Sequence, residues 1–256
     1  MGELATLQKG IEILFLFNES SPSLTVVEIA KRMKLGESST YRYVATLRSV
    51  GLLREASAPG KYQLGLGILA LARAATTQLD IVEKAIPALK NIVERIGESA
   101  LLCGIMGTRA ICLEKVDCHH GLRPAWERGR AVHLHAASVG KSLLAFLDES
   151  ERELVTKDPN LPRFTDQTVT DLEALERDLA QVRTDGFSVT DSEITPGVRS
   201  VSVPIFDHRD KVIANLTVGG PTDRMDWQLT RKAIALLTEE ARSITADLGG
   251  KWPWAS

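Results

Sequence analysis

The sequence predicts an α+β protein in two parts, an N-terminal winged helix-turn-helix and a larger domain on an antiparallel sheet. Three observations predict it. Up to Val50, apolar residues recur at steps of three and four, the period of helices. After Gly51 the pattern changes to short strands around a Pro59-Gly60 turn. In the second half, strands joined by hairpins have helices at both ends, the pattern of an antiparallel α+β domain. The expected boundaries are 1–65 for the winged helix-turn-helix, 66–78 for a helical connector and 79–256 for the sheet domain.

In order along the chain, Leu4, Leu7, Ile11 and Leu14 share one face of a first helix, which Ile13, Leu16 and Phe17 widen. The polar run from Asn18 to Ser23 ends it. Thr25 and Glu28 form a capping box that opens a second helix to about Met33, with Val26, Ile29, Ala30 and Met33 buried. Lys34-Leu35-Gly36 is a tight turn. A third helix from Glu37 to Val50 follows, with Val44, Leu47 and Val50 expected in the core and Gly51 as its terminator. Residues 52–55 and 61–64 are the strands of the wing, and 67–78 is the connector helix.

Beyond it, Ile81 to Ile96 is an amphipathic helix. Residues 101–106 and 110–116 form a hairpin. Ser138 is expected to cap a helix from Val139 to Leu147, and Asp171 to Thr184 is another. Residues 187–190, 200–206 and 212–218 are strands, and Gln228 to Leu248 is a closing helix. The run Lys251-Trp252-Pro253-Trp254 after two glycines is expected to be a tail.

Hydrophobic residues make up 44% of the 256, enough for a packed core. The longest apolar runs, 13–17 and 143–147, are too short for a bilayer, so no membrane association is expected. The first residues lack a signal-peptide pattern, and the three cysteines are expected to be reduced thiols in a cytoplasmic protein. The net charge of -2 divides unevenly: residues 1–78 carry nine Lys/Arg against six Asp/Glu, the remainder 22 against 27. A mildly basic part joined to an acidic one fits a module that meets a polyanion.

Two short helices, a glycine turn and a two-stranded hairpin form a DNA-reading unit whose second helix enters the major groove of double-stranded operator DNA. Ser38, Ser39, Thr40, Tyr41 and Arg42 lie at the start of that helix. Their hydroxyls suit phosphates or base edges, and Arg42 can fork onto a guanine. Lys34, Arg54 and Lys61 flank it as candidate phosphate contacts. In the second half, the amides opening the helix at Ser138-Val139-Gly140 suit a carboxylate, and Leu122, Trp126 and Val132 are candidates for the apolar lining. Trp126 suits an aromatic acid.

Several patterns are set aside. Gly140-Lys141-Ser142 is not a P-loop, because the glycine that motif needs is His135. Cys118, His119, His120, His133 and His135 match no zinc spacing, so no metal or other cofactor is expected. Ser138, His135 and Asp191 lack the nucleophile-elbow sequence, so no enzyme is expected. A small-acid enzyme or a ligand-responsive interaction module carrying a winged helix is the alternative to a regulator.

The segments LQKGIEILFLF (7–17), LTVVEIAKRMKLGESSTYRYVATLRSVGLLR (24–54) and KYQLGLGILALA (61–72) resemble the IclR family of transcription regulators. So do LHAASVGKSLLAFL (134–147), DGFSVTDSEITPGVRSVSVPIFD (185–207) and VIANLTVGGP (212–221). The resemblance implies a GAF-like effector domain, a homodimer or homotetramer, and more often a repressor than an activator. Family dimers meet through the first and connector helices, which suits Leu4, Ile11, Ala70 and Leu71 here. Carried over by motif, the positions that hold a small carboxylic acid are Ser138, Val139, Thr190 or Asp191, Ser200, Thr217 and Gly219. Val139 and Gly219 stand where members are often more polar, which predicts a roomier pocket at that end. Gly36 and Glu37 stand where members often carry Pro and Lys, and an acidic Glu37 repels phosphate.

Overall fold

The computed structural model describes residues 5–18, 20–76, 80–121, 126–157 and 161–254, in two compact units, 1–79 and 80–256. In the first unit, α1 (Ala5–Leu14), β1 (Leu24–Thr25), α2 (Val26–Met33) and α3 (Glu37–Ser49) precede β2 (Leu53–Glu55), β3 (Lys61–Leu64) and α4 (Gly67–Thr76). The capping box forms: the Glu28 amide donates to the Thr25 hydroxyl at 3.2 Å, and the Thr25 amide donates to the Glu28 carboxylate at 2.7 Å. Lys34 ends α2 in the left-handed region at φ 54°, where its amide reaches back to Ala30 and Lys31. Ile13, Phe17, Leu24, Ile29, Val44, Leu47, Leu53 and Tyr62 form the core.

Three expectations change here. The two-residue β1, too short to show a period, pairs Leu24 with Tyr62 and makes β3 the centre of a three-stranded sheet. On α1 the core takes Ile13, whereas Leu7 is 61% and Ile11 46% exposed; Leu4 lies outside the described residues. The apolar face was wide enough to be split, and the Leu7/Ile11 stripe is the half that stays bare. Val50, expected in the core, is 61% exposed, because α3 ends at Ser49 and Val50 caps it with non-helical angles.

The second unit runs α5 (Asp80–Ile96), β4 (Ser99–Met106), β5 (Arg109–Val116), β6 (Ala131–His133), α6 (Ala137–Leu144), α7 (Glu149–Thr156), α8 (Leu172–Asp185), β7 (Ser188–Asp191), β8 (Val198–Phe206), β9 (Val212–Pro221) and α9 (Trp227–Asp247). The six strands form one antiparallel sheet in the order β6-β5-β4-β9-β8-β7. The α5 and α9 helices pack together and against β4, β5, β8 and β9; α6 packs against β5, β7, β8 and β9, with α8 behind it. Leu101, Cys103, Ala110 and Cys112 join the α6 cluster. The alternating Ala100, Leu102, Val201 and Val203 are buried toward the other face, as the pleat requires.

The C-terminal tryptophans are not a loose tail. Trp254 Nε1 donates to the Arg183 carbonyl at 3.0 Å, and its ring meets Phe146, Phe206 and Trp252. Among the described residues, no helix is long and apolar enough to cross a membrane.

Thr25→Ala is expected to cost the first unit about 1 kcal/mol, read by chemical denaturation. Hydrogen bonds from the Thr25 backbone and hydroxyl hold the Glu28 carboxyl below its ordinary value. The stability they contribute is therefore present above the ordinary glutamate range and lost as pH falls through the lower folded value. The variant should flatten that acid limb, seen by helical circular dichroism.

Candidate nucleic-acid interface and ligand pocket

The α3 helix buries one face and presents the other. Val44 and Leu47 point into the core, and Ser38, Ser39, Tyr41 and Arg42 are exposed. Thr40, expected among the contacts, is fully buried, and its hydroxyl donates to the Gly36 carbonyl at 3.1 Å. One hundred degrees per residue carries it round to the core face, so it steadies the helix start instead. Lys34 is exposed in the turn before α3. Arg54 is exposed on β2 and lies opposite Gln63 of β3. Lys61 is half-buried on the central strand. Arg48, which the sequence reading passed over, pairs with Glu55 and ties α3 to the wing.

In the second unit a cavity of about 170 Å3 opens beside α6. Trp126, Val132, Val139, Ile194 and Val198 give its apolar wall, Thr190, Thr195 and Ser200 its hydroxyls, and Arg130 and Glu193 its charges. Five of the expected effector residues, Val139, Thr190, Ser200, Trp126 and Val132, are gathered there. Ser138, Asp191, Thr217 and Gly219 lie elsewhere or play another part, and Leu122 is outside the described residues.

Ser138 is not the cap. The helix starts two residues earlier than expected, at Ala137, with Ala136 in the cap position and Ala137 at φ 60°. The amides expected to be unpaired are taken by the chain itself. Ala137 N–H donates to Glu193 Oε2 at 2.9 Å, and Ser138 N–H donates to Thr190 Oγ1 at 2.8 Å. A carboxylate does sit at the positive end of α6, but it is an internal one. Glu193 is held from the other side by Lys141, which also pairs with Asp178 at 2.7 Å. Burial pushes the Glu193 carboxyl up, and Lys141 opposes that shift.

The Ser138 hydroxyl turns down onto the sheet. It donates to Ser200 Oγ at 2.7 Å and lies 2.8 Å from Ser202 Oγ. Ser202 continues to Thr217 at 2.7 Å, and Thr217 donates to the Asn215 side-chain oxygen at 3.2 Å. Asn215 Nδ2 donates in turn to the Val139 carbonyl at 2.8 Å and to Ser142 Oγ. Thr217 is thus fully buried beneath the pocket rather than lining it. Ser202 and Asn215 were missed, although the two-residue step from Ser200 to Ser202 puts them on one face.

Asp191 points away: its carboxylate pairs with Arg199 at 2.7 Å, leaving Thr190 as the pocket residue of the two. Strand alternation separates these neighbours. At Gly219 the expected extra room is filled, because a Cβ there would lie 2.9 Å from Trp126 Cη2. Trp126 is strapped over the sheet by Lys115, whose ammonium donates to the Trp126 carbonyl at 2.9 Å and pairs with Glu127 at 3.0 Å. Gly140 lets α6 lie close, since a Cβ would sit 2.6 Å from the His133 carbonyl. Glu193, Arg130, Ile194, Thr195 and Val198 were not singled out; Arg130 stands two residues before Val132, a spacing that could have found it.

The family model described as "Bacterial transcriptional regulator IclR C-terminal" matches residues 73–246, and that for the IclR helix-turn-helix domain matches residues 6–57. The HTH-type transcriptional regulator BhcR of Paracoccus denitrificans is 33% identical over 245 residues, covering 95% of this chain and 87% of that protein. The transcriptional repressor IclR of Escherichia coli is 26% identical, covering 97% and 92%. Among solved structures, an IclR transcriptional regulator from Alicyclobacillus acidocaldarius superposes with a TM-score of 0.83 at 25% identity, over 97% of this chain and all of the other. An IclR homolog from Microbacterium hydrocarbonoxydans complexed with 4-hydroxybenzoate superposes with a TM-score of 0.79 at 28% identity, over 95% and 98%.

Lys141→Met should destabilise the second unit by about 3–5 kcal/mol, because it strands the buried Glu193. The sign with pH follows from the upward shift at Glu193: a neutral acid is cheaper to bury, so the loss should be smallest in acid and grow as pH rises through the folded value. Urea denaturation at two or more pH values reads both.

Proposed function

The chain belongs to the IclR family of bacterial transcription regulators, which are DNA-binding proteins and not enzymes, and from that premise we propose that it is a repressor released by a small carboxylic acid bound beside α6. The observation that carries the reading is the cavity in the second unit, with a tryptophan wall, a hydroxyl floor and Arg130 at its rim. An apolar cavity of about 150 Å3 takes a benzene ring, so about 170 Å3 suits a single-ring or short aliphatic acid. The relative that carries 4-hydroxybenzoate supports the aromatic choice.

In this reading the ring stacks against Trp126 and Val139. Ser200 and Thr190 take a hydroxyl or carbonyl, and Arg130 faces the carboxylate; among the described lining residues it is the one cation. The α6 amides are already engaged by Glu193 and Thr190, which moves the acid group to the rim. Binding shifts the population toward one geometry of the pocket loops, and that difference in affinity is what the effector contributes to regulation.

The DNA reading rests on α3, with Ser38, Ser39, Tyr41 and Arg42 exposed at its start and Lys34 and Arg54 beside it. Lys61 remains a wing-side candidate. The bare Leu7, Ile11, Leu66, Leu69 and Leu71 side chains of the first unit support self-association into a dimer, with a tetramer as its pairing. Operator DNA as the target implies a cytoplasmic protein.

Arg42→Ala should weaken operator binding by about 1–3 kcal/mol and relax specificity at one position, whereas Lys34→Ala should weaken all sequences alike and reduce the salt slope by about one unit. Binding titrations at several salt concentrations separate the two, and unchanged affinity removes the residue from the interface. Ser200→Ala should lower the stabilisation that 4-hydroxybenzoate gives in a thermal-shift assay while leaving operator affinity intact. A screen of benzoates and short-chain acids in which no compound raises the melting temperature would overturn the acid reading.

A further inference from the structure

Behind the ligand pocket lies a second, smaller cavity of about 30 Å3, lined in part by Cys103 and Cys112. It shares Trp126, Arg130, Val132 and Val139 with the pocket, so the two are neighbours across one wall. The cysteines come from adjacent antiparallel strands and are partners in the register of β4 and β5, next to a register shift between Leu102 and Cys103. The Cys112 amide donates to the Arg130 carbonyl at 3.0 Å, and the Cys112 carbonyl accepts from Gly129 N–H at 2.8 Å. Both of its backbone groups therefore point away from β4. The Cys103/Cys112 pair is of the non-hydrogen-bonded kind, in which Cα atoms approach to about 4.5 Å and side chains are closest. That spacing falls within the range a disulfide spans.

The two thiols perturb each other's titration, and the Cys112 thiol donates to the Glu114 carbonyl at 3.5 Å. They are 4% and 6% exposed, so the cavity is their route to small solutes.

We propose that Cys103 and Cys112 are a peroxide-sensitive dithiol that closes to a reversible disulfide at the back of the ligand pocket and lowers the pocket's affinity for its ligand. The second half of this rests on the effector-pocket reading above; the first does not. The chemistry balances. Cys112 gives up its proton, the thiolate attacks one oxygen of hydrogen peroxide, the O–O bond breaks, and Cys112 sulfenic acid forms while the hydroxide released takes up that proton as one water. Cys103 sulfur then attacks the Cys112 sulfur, the S–S bond forms, the S–O bond breaks, and hydroxide leaves with the Cys103 proton as a second water. Two thiols are oxidised and one peroxide is reduced to two waters.

The order of attack has a cause. Interaction with Cys103 holds the Cys112 thiol below its ordinary value against burial, whereas interaction with Cys112 and burial push Cys103 up.

The test uses the full chain, treated with hydrogen peroxide, then unfolded and alkylated without reductant. The expected result is a mass lower by two hydrogens, one alkylated cysteine, and a link between the tryptic peptides 96–109 and 110–115, reversed by dithiothreitol. Cys118, in peptide 116–128, should be the alkylated one, and Cys103→Ser and Cys112→Ser should each abolish the link. Three alkylated cysteines, a link that includes Cys118, or oxygen retained on a single cysteine would overturn the proposal. Thermal shift with 4-hydroxybenzoate on reduced and oxidised protein reads the coupling, with binding about tenfold weaker after oxidation. Equal binding overturns the coupling. If no benzoate or short-chain acid binds the reduced protein, the effector reading fails while the disulfide result stands.

Discussion

The first turn of α6 is held to the sheet by the chain's own polar groups, and the second unit is arranged around that constraint. Glu193 takes one free amide and Thr190 the next. The Ser138 hydroxyl starts a run of bonds through Ser200, Ser202, Thr217 and Asn215 that returns to the Val139 carbonyl. A buried network of this kind is favourable when each member is satisfied and costly when one is removed. It fixes the height of α6 above β7, β8 and β9, and that height fixes the depth of the pocket.

The sheet face under α6 is divided. On β7, β8 and β9 it is lined with hydroxyls and an amide, on β4 and β5 with aliphatic side chains and two thiols. The helix therefore turns Ser138 and Ser142 toward the polar half, where they bond Ser200 and Asn215, and Leu143 and Leu144 into the apolar cluster. The cavity beside α6 sits at the border of the two halves, so its wall has one hydroxyl-bearing side and one apolar side.

Much of this was legible in the sequence, and the failures have physical causes. Helices with a clear period and a cap, such as α2 and α8, appear where Thr25 and Asp171 place them. The antiparallel sheet follows from the hairpin turns. Very short elements, β1 and β6, escaped because two or three residues carry no period. Within the site, alternation along a strand found Ser200 but was not carried on to Ser202, and Asp191 was paired with the pocket although Arg199 claims it. Contacts that join distant segments, such as Glu193 on Ala137 and Trp254 on Arg183, leave no local mark. Thr40 shows the same limit on a helix, since a hydroxyl at a helix start suits both a phosphate and its own backbone.

The place of Trp126 bears on how such a protein changes its chemistry. Its ring occupies the space that Gly219 leaves open on the sheet, and it arrives there from a segment between β5 and β6, anchored through its carbonyl by Lys115. The size of the pocket is thus set by a side chain whose own backbone is outside the sheet. Replacing that ring with a smaller group enlarges the cavity without touching a strand, a helix or the hydroxyl network. The ring that sizes the cavity can therefore change while the sheet, α6 and the hydroxyl network beneath it stay in place.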